Sequence, residues 1–109
     1  MNRTLAILGM AKKAGLLAVG YEAAAIAARQ GKARLIITAS DASESAVRRA
    51  KSNAETNEVT YIAVPYTMFE LGRTAGRGSP GTIAFLDKGL ADSFIKKLAD
   101  TENVKEGDA

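Results

Sequence analysis

Short apolar, strand-like runs alternate with stretches of helical spacing along the whole chain, and that alternation constrains the fold more than any other feature. The runs are Arg34–Ala39 (RLIITA), Val59–Val64 (VTYIAV, closed by Pro65) and Thr82–Leu86 (TIAFL), with a briefer one at Leu16–Val19. The run at 34–39 is almost wholly apolar, as a strand covered on both faces should be. Between the runs the apolar spacing is helical. Asn2 can cap a helix over 3–14 whose stripe is Ile7, Met10, Ala11 and Ala14, ended by Gly15. Residues 21–30 (YEAAAIAARQ) are rich in the best helix former, and Gly31 supplies the stop. Asp41 with Glu44 has capping-box spacing for a helix over 42–55, with Ala46, Val47, Ala50 and Ala54 inward. Thr67 with Glu70 repeats that spacing for a short helix stopping near Gly72–Gly76. Asp87 can cap a last helix that turns Leu90, Ala91, Phe94 and Leu98 inward.

The predicted order is α-β-α-β-α-β-α-β-α, an α/β chain with a mixed or parallel sheet and helices on both faces. Its 109 residues suffice for one domain with one modest core, over 1–99. The polar, acidic segment 100–109 reads as a disordered tail.

The chain has no cysteine and no histidine. Thiolate and imidazole zinc sites, Ser-His triads and imidazole acid–base chemistry are thereby excluded. Carboxylates, lysines, tyrosines and hydroxyls are all that remain for catalysis, so the expectation is a non-enzyme without metal or cofactor. No apolar run approaches the ~20 residues that cross a bilayer, and MNRTLAILGMAKKAG lacks a signal-peptide layout. A cytoplasmic location is expected.

The net charge of +3 is unevenly spread. Residues 100–109 hold Asp100, Glu102, Glu106 and Asp108 against Lys105, which leaves 14 basic and 8 acidic side chains in residues 1–99, a balance of +6. A compact basic body can bind a polyanion by displacing its counterions.

Three groups of residues fit such a role, each with a plainer alternative. Lys12 and Lys13 end the first helix, where they complement the helix dipole or clamp a phosphate. The loop from Gly72 to Gly81 lacks the Gly-Lys-Ser/Thr ending of a nucleotide-binding loop and follows a helix rather than opening one. With Arg73, Arg77, Gly78 and Ser79 it suits an RNA backbone, or serves only as a helix stop and a turn. Arg48, Arg49 and Lys51 are read as the solvated face of their helix. The six aromatics form no alternating strand stripe; most are expected in the core, with only Tyr21 placed to be exposed.

The segments AKKAG (11–15), G-Y-E (20–22), GKARLIITASDAS (31–43) and FELGRTAG (69–76), in this order, resemble the kink-turn-binding ribosomal-protein superfamily and its small bacterial YlxQ-like branch. The resemblance runs from about residue 2 to 98. It implies a three-layer α/β/α sandwich around a mixed four-stranded sheet. It also implies RNA docking at the N-terminus of the second helix and the loop before the last strand. Here that edge is Gly20, Tyr21 and Glu22 with Arg73, Arg77, Gly78 and Ser79, and Lys12 and Lys13 near it.

The chain departs from the superfamily at the groups that read sheared G·A pairs. Counted back from Gly31-Lys32-Ala33, the Asn-Glu-x-x-Lys pattern falls on Glu22, Ala23 and Ile26. Losing a phosphate lysine and bidentate base contacts costs about 1–3 kcal/mol each. The expectation is therefore a monomeric, non-catalytic protein binding structured RNA, ribosomal or other non-coding, through phosphate contacts and in association with the ribosome or translation factors. The competing expectation is an adaptor that docks on the translation or transcription machinery through an apolar outer side of helix 2 formed by Ala23, Ile26 and Ala27.

Overall fold

The computed structural model describes residues 2–76 and 78–108, with side chains up to Asp100. The elements are α1 (Arg3–Lys13), β1 (Leu17–Val19), α2 (Tyr21–Arg29), β2 (Leu35–Thr38), α3 (Glu44–Thr56), β3 (Thr60–Ala63), α4 (Met68–Ala75), β4 (Thr82–Phe85) and α5 (Lys88–Asp108). The tail expected over 100–109 lies, from residue 101 on, outside the described side chains.

The four strands form one sheet in the order β1-β4-β2-β3. β2 and β3 run parallel with Leu35 opposite Thr60, and β4 runs antiparallel to both β2 and β1. Ala84 sets the register of β1, β4 and β2, with Ala18 and Ile36 both opposite it. β2 and β4, in the middle, are buried throughout, whereas the edge strand β3 exposes Thr60 and Ala63.

Strand alternation sorts the core into two halves. Leu35, Ile37, Ile83 and Phe85 face the layer of α1, α4 and α5, where they meet Leu8, Leu71 and Phe94. The Phe85 and Phe94 rings pack with centroids 4.9 Å apart. Ile36 and Ala84 face α2 and α3, and that half is filled by Ala24, Ala27, Ala28, Ala50 and Ala54. The result is a three-layer α/β/α sandwich with a mixed sheet. No helix among the described residues is long and apolar enough to cross a membrane.

Helix starts follow local chemistry, with one correction. The Asn2 side chain accepts from the Thr4 and Leu5 N–H groups, and Thr67 and Glu70 form the complete reciprocal box at α4. Asp87 accepts from the Leu90 N–H at the start of α5. At α3, however, the cap is Ser43, which accepts from the Ala46 N–H. Asp41 instead accepts from the Met68 N–H at 2.8 Å, tying the loop after β2 to the first turn of α4.

Three inward faces also differ from the spacing. α1 buries Thr4, Leu8 and Ala11 and leaves Met10 exposed, because Met10 turns toward a groove beside α4. In α3, Ala50 and Ala54 are buried while Ala46 and Val47 are half-buried. On α2, Ala27 packs against the sheet, so the apolar outer side is reduced to Ala23 and Ile26.

Candidate nucleic-acid interface

β1, β2 and β3 end, and β4 begins, at one end of the sheet. The loops there carry most of the residues singled out in the sequence. Gly20 forms the corner between β1 and α2. Its φ of 104° and ψ of 158° lie in a region that only glycine occupies at little cost. In this conformation the Gly20 N–H donates to the Thr82 carbonyl at 2.8 Å, and no side chain caps α2. The first-turn N–H groups of α2 thus face solvent at the positive end of the helix dipole.

Thr82 opens β4, so this bond joins the start of α2 to the end of the loop that follows α4. That loop begins at Gly76, a left-handed helix stop with φ 76°. It then folds back over α4. A Cβ at Gly72 would lie 1.7 Å from the Gly78 carbonyl oxygen and 3.2 Å from Pro80 Cδ, so only glycine allows the approach. Gly78 and Ser79 are exposed, and the Gly81 carbonyl accepts from the Ala39 N–H at 3.0 Å. Arg77 lies outside the described residues.

The predicted cations divide between two places. Lys12 is half-buried with its stem across Gly76, where a Cβ would sit 3.6 Å from the lysine Cε. Lys13 and Arg73 are exposed and line a groove of about 570 Å³ between α1 and α4, floored by Leu5, Ala6, Gly9 and Met10. Arg73 belongs to the last turn of α4 rather than to the loop, and its guanidinium lies 5.9 Å from the centre of the Phe69 ring. Among the described residues no ion pair engages Lys12, Lys13 or Arg73.

On α2, Glu22, Ala23 and Ile26 are all exposed, with Ile26 at 44%. The three positions that the family pattern assigns to base reading are therefore accessible, and they carry a carboxylate, a methyl and a butyl group.

Two aromatics are placed differently from expectation. Tyr21 is half-buried: its ring lies under the Arg49 guanidinium, 5.5 Å from the centroid, and Asn53 Nδ2 approaches its hydroxyl at 3.5 Å. The first residue of α2 thus faces α3. Phe69 is the exposed aromatic, at 64%, because the second position of α4 points away from the sheet. Arg49, read from the sequence as ordinary solvated surface, is the cation that the structure places against Tyr21. Its only signal was the spacing of Arg49 and Asn53, which puts both on one side of α3. Among the described residues no group of three metal-ligating side chains comes together.

The sandwich, with its glycine corner, its exposed loop after α4 and its cations at one end of the sheet, defines a small three-layer α/β/α protein with a mixed four-stranded sheet. The chain belongs to the ribosomal protein L7Ae/L30e/S12e/Gadd45 family, whose sequence model matches residues 3–105. It resembles the kink-turn-binding superfamily's YlxQ-like branch in particular. It is 28% identical over 96 residues to the RNA-binding protein YlxQ of Bacillus subtilis (strain 168), covering 84% of this chain and 91% of that protein. A protein of unknown function from Bacillus halodurans C superposes with a TM-score of 0.83 at 23% identity, covering 91% of this chain and 99% of the other. The Giardia lamblia 15.5kD RNA binding protein superposes with a TM-score of 0.70 at 18% identity, over 91% and 84% of the two chains. These two likenesses establish the fold.

Proposed function

We propose that this protein is a non-catalytic RNA-binding protein that holds structured RNA by its phosphates. The contact edge is formed by Gly20, Tyr21 and Glu22, the loop residues Gly78 and Ser79, and the cations Lys12, Lys13, Arg73 and Arg77. The observation that carries this is the uncapped N-terminus of α2 joined through the Gly20–Thr82 bond to an exposed glycine loop. Open N–H groups at a helix start donate to phosphate or base oxygens, and adjoining cations add counterion release. Membership of a family that contains RNA-binding relatives points the same way. We assign it to the cytoplasm as a monomer acting on ribosomal or other non-coding RNA, in association with the ribosome or translation factors.

With Glu22, Ala23 and Ile26 at the base-reading positions, discrimination for kink-turns is weak. The test is fluorescence anisotropy with a kink-turn RNA and a plain duplex of equal length across a salt series. Affinity should fall steeply with salt and differ little between the two RNAs. A flat salt response would overturn the phosphate-contact mechanism, and strong preference for the kink-turn would overturn the loss of base reading.

One observation favours a second reading, an adaptor on the translation or transcription machinery. Ile26 is exposed beside Ala23, and an apolar pair suits a protein partner better than a polyanion. Ile26→Glu should then abolish partner capture while leaving RNA affinity intact, and Lys13→Glu should do the reverse.

A further inference from the structure

The structure of the α2–α3 corner carries more than the edge described so far. Arg49 sits in the second turn of α3, exposed, with its guanidinium over the Tyr21 ring. Among the described residues no carboxylate pairs with it. Tyr21 directly follows Gly20, so the ring that supports Arg49 also forms the first residue of α2. A guanidinium placed over an aromatic face keeps N–H groups free at its rim, and a free guanidinium fork can take a phosphate in two parallel hydrogen bonds. The stack itself is worth about 0.5–1 kcal/mol at an exposed site and reduces the rotamer freedom lost on binding.

The two other cations of α3 stand differently. Arg48 and Lys51 line a shallow hollow on another side of the helix together with Glu44, Ala42 and Val47. A carboxylate in that hollow opposes a phosphate, so the three cations of this helix are not equivalent.

We propose that Arg49, held by Tyr21, is a phosphate contact for RNA, and that the RNA surface turns the corner from the start of α2 onto α3. This rests on the RNA-binding reading and extends the contact surface to a helix that it did not include. It also gives Tyr21 a definite role. Tyr21 positions the arginine from below and does not stack on a base.

The experiment measures binding of a structured RNA hairpin with an internal loop to the full chain, as the slope of log affinity against log salt. Arg49→Ala should lower the magnitude of that slope by about 0.7–0.9, the amount of one phosphate contact. Between about 50 and 200 mM salt its affinity should therefore drop about threefold less than that of the wild type. Arg48→Ala, the same charge change one residue away, should leave the slope near the wild-type value. Tyr21→Leu should weaken binding, and combining it with Arg49→Ala should add little further loss, as for two residues acting as one unit. Arg49 is exposed, so its variant folds as the wild type does, and thermal unfolding serves as the check.

If Arg49→Ala keeps the wild-type slope while the wild type binds with steep salt dependence, the Arg49 contact is wrong and the RNA-binding edge stands. Equal effects from Arg48→Ala and Arg49→Ala mean a diffuse basic field and also overturn the contact. A wild type that binds no RNA at any salt overturns both proposals.

Discussion

At the residue scale, Gly20 concentrates the most constraint. Its φ and ψ are closed to side chains, yet no atom lies within 4 Å of where its Cβ would be. A substitution there is therefore penalised by backbone conformation alone, at about 1–3 kcal/mol. Gly31, with φ 73° and equally open surroundings, provides the comparison, since it ends α2 at the far side from the working edge. Gly20→Ala and Gly31→Ala should both lower the melting temperature, each by about 4–8 °C per kcal/mol lost. Only Gly20→Ala should weaken RNA binding when the two are compared at equal folded fraction, because only Gly20 sets the direction of the open N–H groups. Parallel losses of RNA affinity in both variants would mean that Gly20 matters for stability alone. Gly20 was visible in the sequence as a residue before a helix; that it must be glycine was not, because the reason is the bond to Thr82, 62 residues further along the chain.

At the element scale, the helices and strands were legible nearly to their ends. Each apolar run became a strand and each helical stripe a helix, with boundaries within two residues of those read from the sequence except at the end of α5, which continues to Asp108 past the expected start of a tail at 100. Local period and capping chemistry decide these, and both are written in adjacent residues. What stayed hidden were pairings between elements. Asp41 has the right spacing to cap α3, but its carboxylate meets the Met68 N–H, which the sequence does not bring near it. Met10 fits the stripe of α1 by spacing, but it lines the groove beside α4 at 59% exposure while Leu8 takes the core position. The Arg49–Tyr21 stack joins two helices in the same way. Asn2 shows the energetic weight of such a link. It accepts from Thr4 and Leu5 N–H at 2.7 and 3.2 Å and from the Tyr66 hydroxyl at 3.3 Å, so it fixes the start of α1 to the segment before α4. Asn2→Ala should cost about 1–2 kcal/mol, a full cap plus the tyrosine contact. Tyr66→Phe removes only the latter and should cost no more than about 1 kcal/mol in denaturant unfolding. An Asn2→Ala variant as stable as the wild type would show that the cap contributes nothing.

At the scale of the whole molecule, the two halves of the core do different work. The α1/α4/α5 side is filled by large side chains, Phe85, Phe94, Leu8 and Leu71 among them, whereas the α2/α3 side is filled by alanines. Alanines let α2 and α3 approach the sheet closely and leave little slack in where the start of α2 can sit. The proposed RNA-binding edge therefore depends on the small-residue half, and most of the hydrophobic stabilisation comes from the other. Two substitutions separate these contributions. Phe94→Ala opens a cavity beside Phe85 and should cost about 3–5 kcal/mol, a large share of the ~5–15 kcal/mol typical of a domain. The folded fraction should still bind RNA with wild-type affinity, because α2 has not moved. Ala28→Leu adds volume where exposure is only 1%, and should cost less, about 1–3 kcal/mol. It lifts α2 off the sheet, strains the Gly20–Thr82 bond and should weaken RNA binding in the molecules that remain folded. Urea unfolding gives the stabilities, and binding is compared under conditions where each variant is folded. If Phe94→Ala loses RNA affinity as fully as Ala28→Leu does, the edge depends on the whole core and the two halves are not separable.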